Sequence, residues 1–151
     1  MSGIGENQFD TKILSAEDSD ALGQAVELLG QGLPVALPTE TVYGLAADAL
    51  SAEAVTRIFE AKGRPANNPL IVHVDSAAMA RDCVYAWPSA ADQLASAFWP
   101  GPLSIVLPKA DSIPDIVTAG GVTVAVRCPA HPVWLGTACT VDCPSCRAAP
   151  Y

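Results

Sequence analysis

Apolar positions in this chain fall into two patterns, short continuous runs and stretches with three-and-four spacing. Residues 15–30 set Leu22, Ala25, Val26 and Leu29 on one helical stripe, with Ser15 or Asp18 as the expected cap and Gly30 with Gly32 as the stop. Residues 33–37 form an apolar run broken by Pro38, which reads as a buried strand. From Ser51 the spacing is helical again: Ala54, Val55, Ile58 and Phe59 share a stripe, Ser51 is the N-cap and Gly63 the stop. Residues 70–74 predict a second strand, 77–85 and 89–98 two helices, and 103–107 and 122–126 two further strands. Pro88 opens the helix at 89–98, and Trp99-Pro100-Gly101-Pro102 is a stiff turn after it. Strands interleaved with helices of this length predict an α/β sandwich.

The chain has 151 residues, enough for one domain, and no internal repeat is evident. Half the residues are apolar and 16 % are charged, a globular composition. The net charge of −8 and the pI near 4.4 argue against tight autonomous binding to nucleic acid, because that affinity comes from lysine and arginine. Residues 1–12 lack a basic segment followed by an apolar one, and no apolar run approaches the ~20 residues that cross a bilayer. The expectation is a soluble cytoplasmic protein with no membrane segment. Five cysteines without an export signal do not predict a disulfide framework, and Cys83 and Cys128 read as core filler.

Candidate chemistry gathers in residues 37–74, where two polar loops lie between the first two expected strands. The first, 38–44, is Pro-Thr-Glu-Thr-Val-Tyr-Gly, with two hydroxyls, a carboxylate and a phenol in one turn. The second carries Lys62 and Arg64, two of eight basic residues. A lysine in a last helical turn is favoured by the helix dipole with no function required. With Arg64-Pro65 following, two cations project from a stiff loop, which suits a phosphate or carboxylate. His73 lies inside an apolar run, where a hydrogen-bonded core histidine is the ordinary expectation. Arg127 follows the last apolar run, where a solvated strand end is ordinary. There is no GxxxxGK[ST] loop and no GxSxG elbow, and only two histidines exist for a metal box. Cys139-x-x-x-Cys143-x-x-Cys146 has the spacing of an iron–sulfur ligand set, but it lies in the last thirteen residues with no following chain to sheath a cluster. Neither an iron–sulfur cluster nor zinc is expected.

Four segments, PTETVYGLA, KGRPANNPLIVH, WPGPLSIVL and TVAVRCPAHP, closely resemble the YrdC-type threonylcarbamoyl-AMP synthases, in that order and at fitting intervals. The resemblance runs from about Ala16 to Val133. It implies a YrdC-like twisted mixed sheet with flanking helices and a concave ligand-binding face. It also implies synthesis of L-threonylcarbamoyl-adenylate from L-threonine, bicarbonate and ATP with release of pyrophosphate. The product would feed a separate transferase complex that modifies tRNA, and Mg²⁺ would accompany ATP. By resemblance Thr39, His73 and Arg127 contact threonine, Lys62 and Arg64 hold ATP phosphates, and Thr123 contacts the nucleotide. Tyr43 and Asn68 line the pocket. No general base is assigned, and His73 is the one candidate.

The resemblance stops after about residue 134, so residues 1–134 read as an incomplete YrdC-like domain and 135–151 as an aberrant cysteine-rich tail. The family's serine–asparagine loop, which helps close the nucleotide site, is absent from the tail. A shifted reading frame would account for this: Cys-Pro-Ser-Cys-Arg-Ala can be encoded so that an adjacent frame reads Ala-Leu-Pro-Ala-Ala. Two alternatives to the synthase are an inactive truncated fragment and a YrdC-type RNA-binding module, the latter disfavoured by the acidic balance. A carbamoyl-transfer relative from hydrogenase maturation would need further regions that do not fit this length.

Overall fold

The structure, a computed structural model, describes residues 11–18, 20–140 and 146–150, with side chains within 11–18 and 20–137. Most of the segment read for an export signal, together with Cys143 and the side chains of Cys139 and Cys146, lies outside the described residues. In chain order the elements are α1 (Ala21–Gly30), β1 (Val35–Pro38), β2 (Tyr43–Asp48), α2 (Ala52–Lys62), β3 (Ile71–His73), α3 (Ala77–Asp82), α4 (Ser89–Phe98), β4 (Ser104–Pro108), β5 (Thr123–Arg127), α5 (Pro132–Thr140) and β6 (Cys146–Pro150).

Local chemistry explains several boundaries. Ser51 caps α2 by accepting from the Ala54 amide at 3.2 Å. Gly63 ends the same helix in the left-handed region, φ +57°, while the Arg64 amide returns to the Phe59 carbonyl at 3.0 Å. The chain therefore leaves α2 in a fixed direction that Cβ-bearing residues adopt reluctantly. The first helix begins later than its apolar spacing predicts. Ser15 and Asp18 accept from the amides of Glu17 and Asp20 and so close turns ahead of α1 instead of capping it.

One strand was hidden. Residues 43–48, Tyr-Gly-Leu-Ala-Ala-Asp, carry no β-branched side chain, and glycine and alanine are poor strand formers. They pair antiparallel with β1, Val35 opposite Ala46 and Pro38 opposite Tyr43, so the polar turn at 39–42 is the bend of a hairpin. Burial on both faces holds β2 in place: Ala46 packs with Leu37, Leu29, Ala25 and Trp134, and Ala47 packs into the main core.

The described strands form two three-stranded sheets, β1-β2-β6 and β3-β5-β4, instead of one. The backbone of β6 also runs beside β3, so the two sheets adjoin. In the second sheet β3 and β5 are parallel and β4 is antiparallel, the mixed pairing expected. Its two faces differ in kind. Val72, Val124, Val126 and Ile105 point into the main core with Ile58 and Phe59 of α2 and Ala91 and Ala95 of α4. Since side chains alternate along a strand, Ile71, His73, Ser104, Val106, Thr123, Ala125 and Arg127 line the opposite face. That face is partly open: Thr123 is exposed and Val106 is 60 % exposed, while His73 and Arg127 at the other end are covered. Cys83 and Cys128 are buried, as their surroundings predict.

Helix α5 runs through residue 134, the expected domain boundary. Beyond that point Thr137 is buried, and its hydroxyl donates to the Val133 carbonyl at 2.8 Å. Among the described residues no helix is long and apolar enough to cross a membrane.

Candidate anion-binding site on the open sheet face

Arg127 ends β5 directly opposite His73 at the end of β3, and both side chains lie on the open face. Arg127 is 6 % exposed, which corrects the expectation of a solvated strand end. Its Nε donates to the Gly101 carbonyl at 3.3 Å, and its Nη2 forms an ion pair with Glu40 and reaches the Thr41 hydroxyl at 3.5 Å. The other Glu40 carboxylate oxygen accepts from the Ala130 amide at 3.1 Å. Glu40 and Thr41 belong to the hairpin turn, so the turn of one sheet is fastened to a strand end of the other. Burial acts to raise the Glu40 carboxyl. Hydrogen bonds from Arg127 and from the Glu40 and Ala130 amides, together with the Arg127 charge, outweigh it and hold the group below its ordinary value.

Thr39 shapes the turn. It is nearly buried, and its hydroxyl donates to the Val42 carbonyl at 2.6 Å and accepts from the amides of Val42 and Thr41 at 3.2 and 3.3 Å. The Thr39 and Thr41 hydroxyls lie 3.1 Å apart. The hydroxyl of Thr39 thus fixes the conformation that presents Glu40 and Thr41 to Arg127.

His73 is fully buried, and both ring nitrogens lack a hydrogen-bond partner among the described residues. The satisfied core histidine expected of an apolar run is therefore not what is found. Its ring meets Trp134 of α5 edge-on at 5.0 Å between centroids. Burial, reinforced by the Arg127 charge and only partly offset by Glu40, pushes the imidazole down to about 3. The ring is thus neutral at neutral pH, one nitrogen a donor and the other an acceptor.

The depressed value carries a stability consequence with a definite sign. Between about 3 and the ordinary 6.5, the unfolded chain binds a proton at His73 that the folded chain refuses. Stability therefore falls as pH drops through that window, by roughly 2 kcal/mol between pH 7 and pH 5. Denaturant midpoints at the two pH values are expected to show the drop, and His73→Gln is expected to flatten it. Equal midpoints for the unaltered chain would contradict the buried, neutral imidazole.

The remaining candidates stand elsewhere along the chain. Lys62, in the last turn of α2, and Arg64, just past Gly63, are half-buried and adjacent; burial and then the Arg64 charge lower the lysine from its ordinary value. Asn68 is half-buried on the same loop, ahead of β3. Thr123 begins β5 on the face that Arg127 ends. Tyr43 begins β2 and is 75 % exposed. Thr39, His73 and Arg127 are thus brought together through Glu40 and Thr41. Lys62 and Arg64 form a second group, at the end of α2 and on the loop that leads into β3. A hollow of about 190 Å³ lined by Asp75, Asp92, Trp99 and Cys128 includes none of these residues.

The fold is that of an α/β domain with one helix-covered sheet face and an open face that ends in a buried arginine and a histidine with no hydrogen-bond partner among the described residues. The family described as "Telomere recombination", Sua5/YciO/YrdC, matches residues 27–141, and the chain belongs to it. A threonylcarbamoyl-AMP synthase of Pyrococcus abyssi is 53 % identical over 111 residues, covering 74 % of this chain and 33 % of that protein. One of Bacillus subtilis is 48 % identical over 126 residues, covering 83 % and 36 %. The crystal structure of Pyrococcus abyssi Sua5 complexed with L-threonine superimposes with a TM-score of 0.81 at 48 % identity, over 85 % of this chain and 37 % of that one. The chain spans about a third of the length of these relatives.

Proposed function

We propose that this chain carries the substrate-holding part of a threonylcarbamoyl-AMP synthase, which joins L-threonine, bicarbonate and ATP into L-threonylcarbamoyl-adenylate and releases pyrophosphate. One observation carries the reading: a buried arginine beside a buried histidine whose two nitrogens lack hydrogen-bond partners among the described residues, on the open face of a sheet. A guanidinium there suits a carboxylate, and the imidazole can exchange hydrogen bonds with a neutral or charged ligand group. The resemblance to a relative crystallised with L-threonine supports the same assignment. In this reading Arg127 takes the threonine carboxylate, and His73 and Thr39 contact the amino acid. Lys62 and Arg64 hold the ATP phosphates, Thr123 contacts the nucleotide, and Tyr43 and Asn68 line the pocket.

The chemistry asks for positioning above all. A carbamate oxygen of N-carboxy-threonine attacks the α-phosphorus, the α–β phosphoanhydride bond breaks, and pyrophosphate leaves with the electron pair. Two anions must approach, and cations on the phosphoryl oxygens lower that barrier. Among the described residues no group of three histidine, cysteine, aspartate or glutamate side chains could hold a metal. Mg²⁺ is proposed as the companion of the ATP phosphates, and no step is assigned to an ion held by the protein. The product would pass to a transferase complex that modifies tRNA, and the site of action would be the cytoplasm.

Titration calorimetry with L-threonine tests the reading, with pyrophosphate release as the second readout. Saturable binding of L-threonine, and release that requires threonine, bicarbonate and ATP together, is the expected result. A chain that fails to bind threonine overturns the reading. Within it, Lys62→Ala is expected to weaken ATP binding about tenfold, the worth of one charge-assisted phosphate contact, and to leave threonine affinity within about twofold. Equal loss of both ligands would place Lys62 in the wrong half of the site.

A further inference from the structure

Arg127 already holds an anion of its own. Glu40 pairs with Nη2, is steadied by the Ala130 amide, and keeps 21 % of its side chain exposed, so it stays within reach of solvent at the covered end of the sheet face. A free α-amino acid presents a protein with a carboxylate and an ammonium one carbon apart. An adjacent guanidinium and carboxylate have the complementary charges at a similar scale. We propose that the Arg127–Glu40 ion pair is the receptor for the zwitterion: it opens as the amino acid enters, Arg127 taking the ligand carboxylate and Glu40 the ligand ammonium. This rests on the reading that L-threonine is bound at Arg127.

Charge balance drives the argument. When a ligand carboxylate claims a nearly buried guanidinium, Glu40 loses its cation while the Ala130 amide and the hairpin turn keep it in place. A partly buried carboxylate stripped of its partner is costly unless a new cation arrives with the ligand. His73 cannot supply one, because burial and Arg127 keep the ring neutral at neutral pH. The ligand ammonium can. Glu40 thereby becomes a specificity residue: it favours amino acids over hydroxy acids and other carboxylates, which would evict it from Arg127 without compensation.

Calorimetry on the full chain with L-threonine and its des-amino analogue 3-hydroxybutyrate distinguishes the possibilities. The unaltered chain is expected to bind threonine at least about tenfold more tightly than the analogue. Glu40→Gln is expected to lose about tenfold in threonine affinity, while 3-hydroxybutyrate binds as well or better because Arg127 is no longer occupied. Three results overturn the proposal: equal affinity for the two ligands in the unaltered chain, unchanged threonine affinity in Glu40→Gln, or equal loss of both ligands in that variant. The first needs no variant and so stands even if Glu40→Gln folds poorly. Failure of the unaltered chain to bind either ligand is a separate result, which removes the threonine reading itself.

Discussion

Arg127→Ala is expected to weaken L-threonine binding by on the order of a hundredfold and to stop pyrophosphate release, because nothing else described on the covered end of the sheet can take a carboxylate in two-point fashion. The same change leaves Glu40 without its cation. Loss of one partner of a buried pair costs about 3–5 kcal/mol; the low end applies here because Glu40 keeps 21 % of its side chain exposed. Denaturant unfolding and calorimetry should therefore report two separable losses. Arg127→Ala/Glu40→Ala should recover part of the stability, since neither charge is then stranded, and none of the binding. Full binding by Arg127→Ala would show that the amino acid is held elsewhere.

Trp134→Ala is expected to be the most damaging single change to the fold, at about 3–5 kcal/mol for truncating a fully buried aromatic side chain. Trp134 fills the small core between α1, β1 and β2 with Ala25, Leu29, Leu37 and Ala46, and its ring, perpendicular to the imidazole, walls one side of His73. The variant should show a lowered denaturant midpoint. Water admitted beside the imidazole should also move its titration back toward the ordinary range. Trp134→Phe keeps most of the volume and should cost much less. An alanine variant as stable as the parent would mean that the small core collapses around the gap.

What the sequence disclosed follows from where the decisive forces lie. Helices α2 and α4 were legible because their apolar stripes and end residues are local: Ser51 and Gly63 act within a turn of where they stand. Strand β2 was not, because Gly44, Ala46 and Ala47 have no strand preference and are held by packing on both faces. The start of α1 was misplaced because Ser15 and Asp18 can cap a helix or close a turn, and nothing nearby decides between them. Around Arg127, Thr39, His73 and Arg127 itself were singled out through their place in recognisable segments, but the contacts of Glu40 and Thr41 with Arg127 were missed. Their partner lies 87 and 86 positions away, and no local pattern announces such a pairing. The carboxylate in the turn at 39–42 was the available signal, read alongside an arginine at the end of an apolar strand.

The bond between positions 40 and 127 spans 87 residues of chain and ties the hairpin of one sheet to the end of the central strand of the other. Closing so wide a loop costs entropy that grows only with the logarithm of its length, but the clasp exists only when both ends of the molecule are docked. Whatever Arg127 grips is consequently gripped by the finished domain and not by a half-folded chain. Occupancy then draws the population toward the complete fold by mass action. Any ligand held at Arg127 would act as a latch on the fold that holds it.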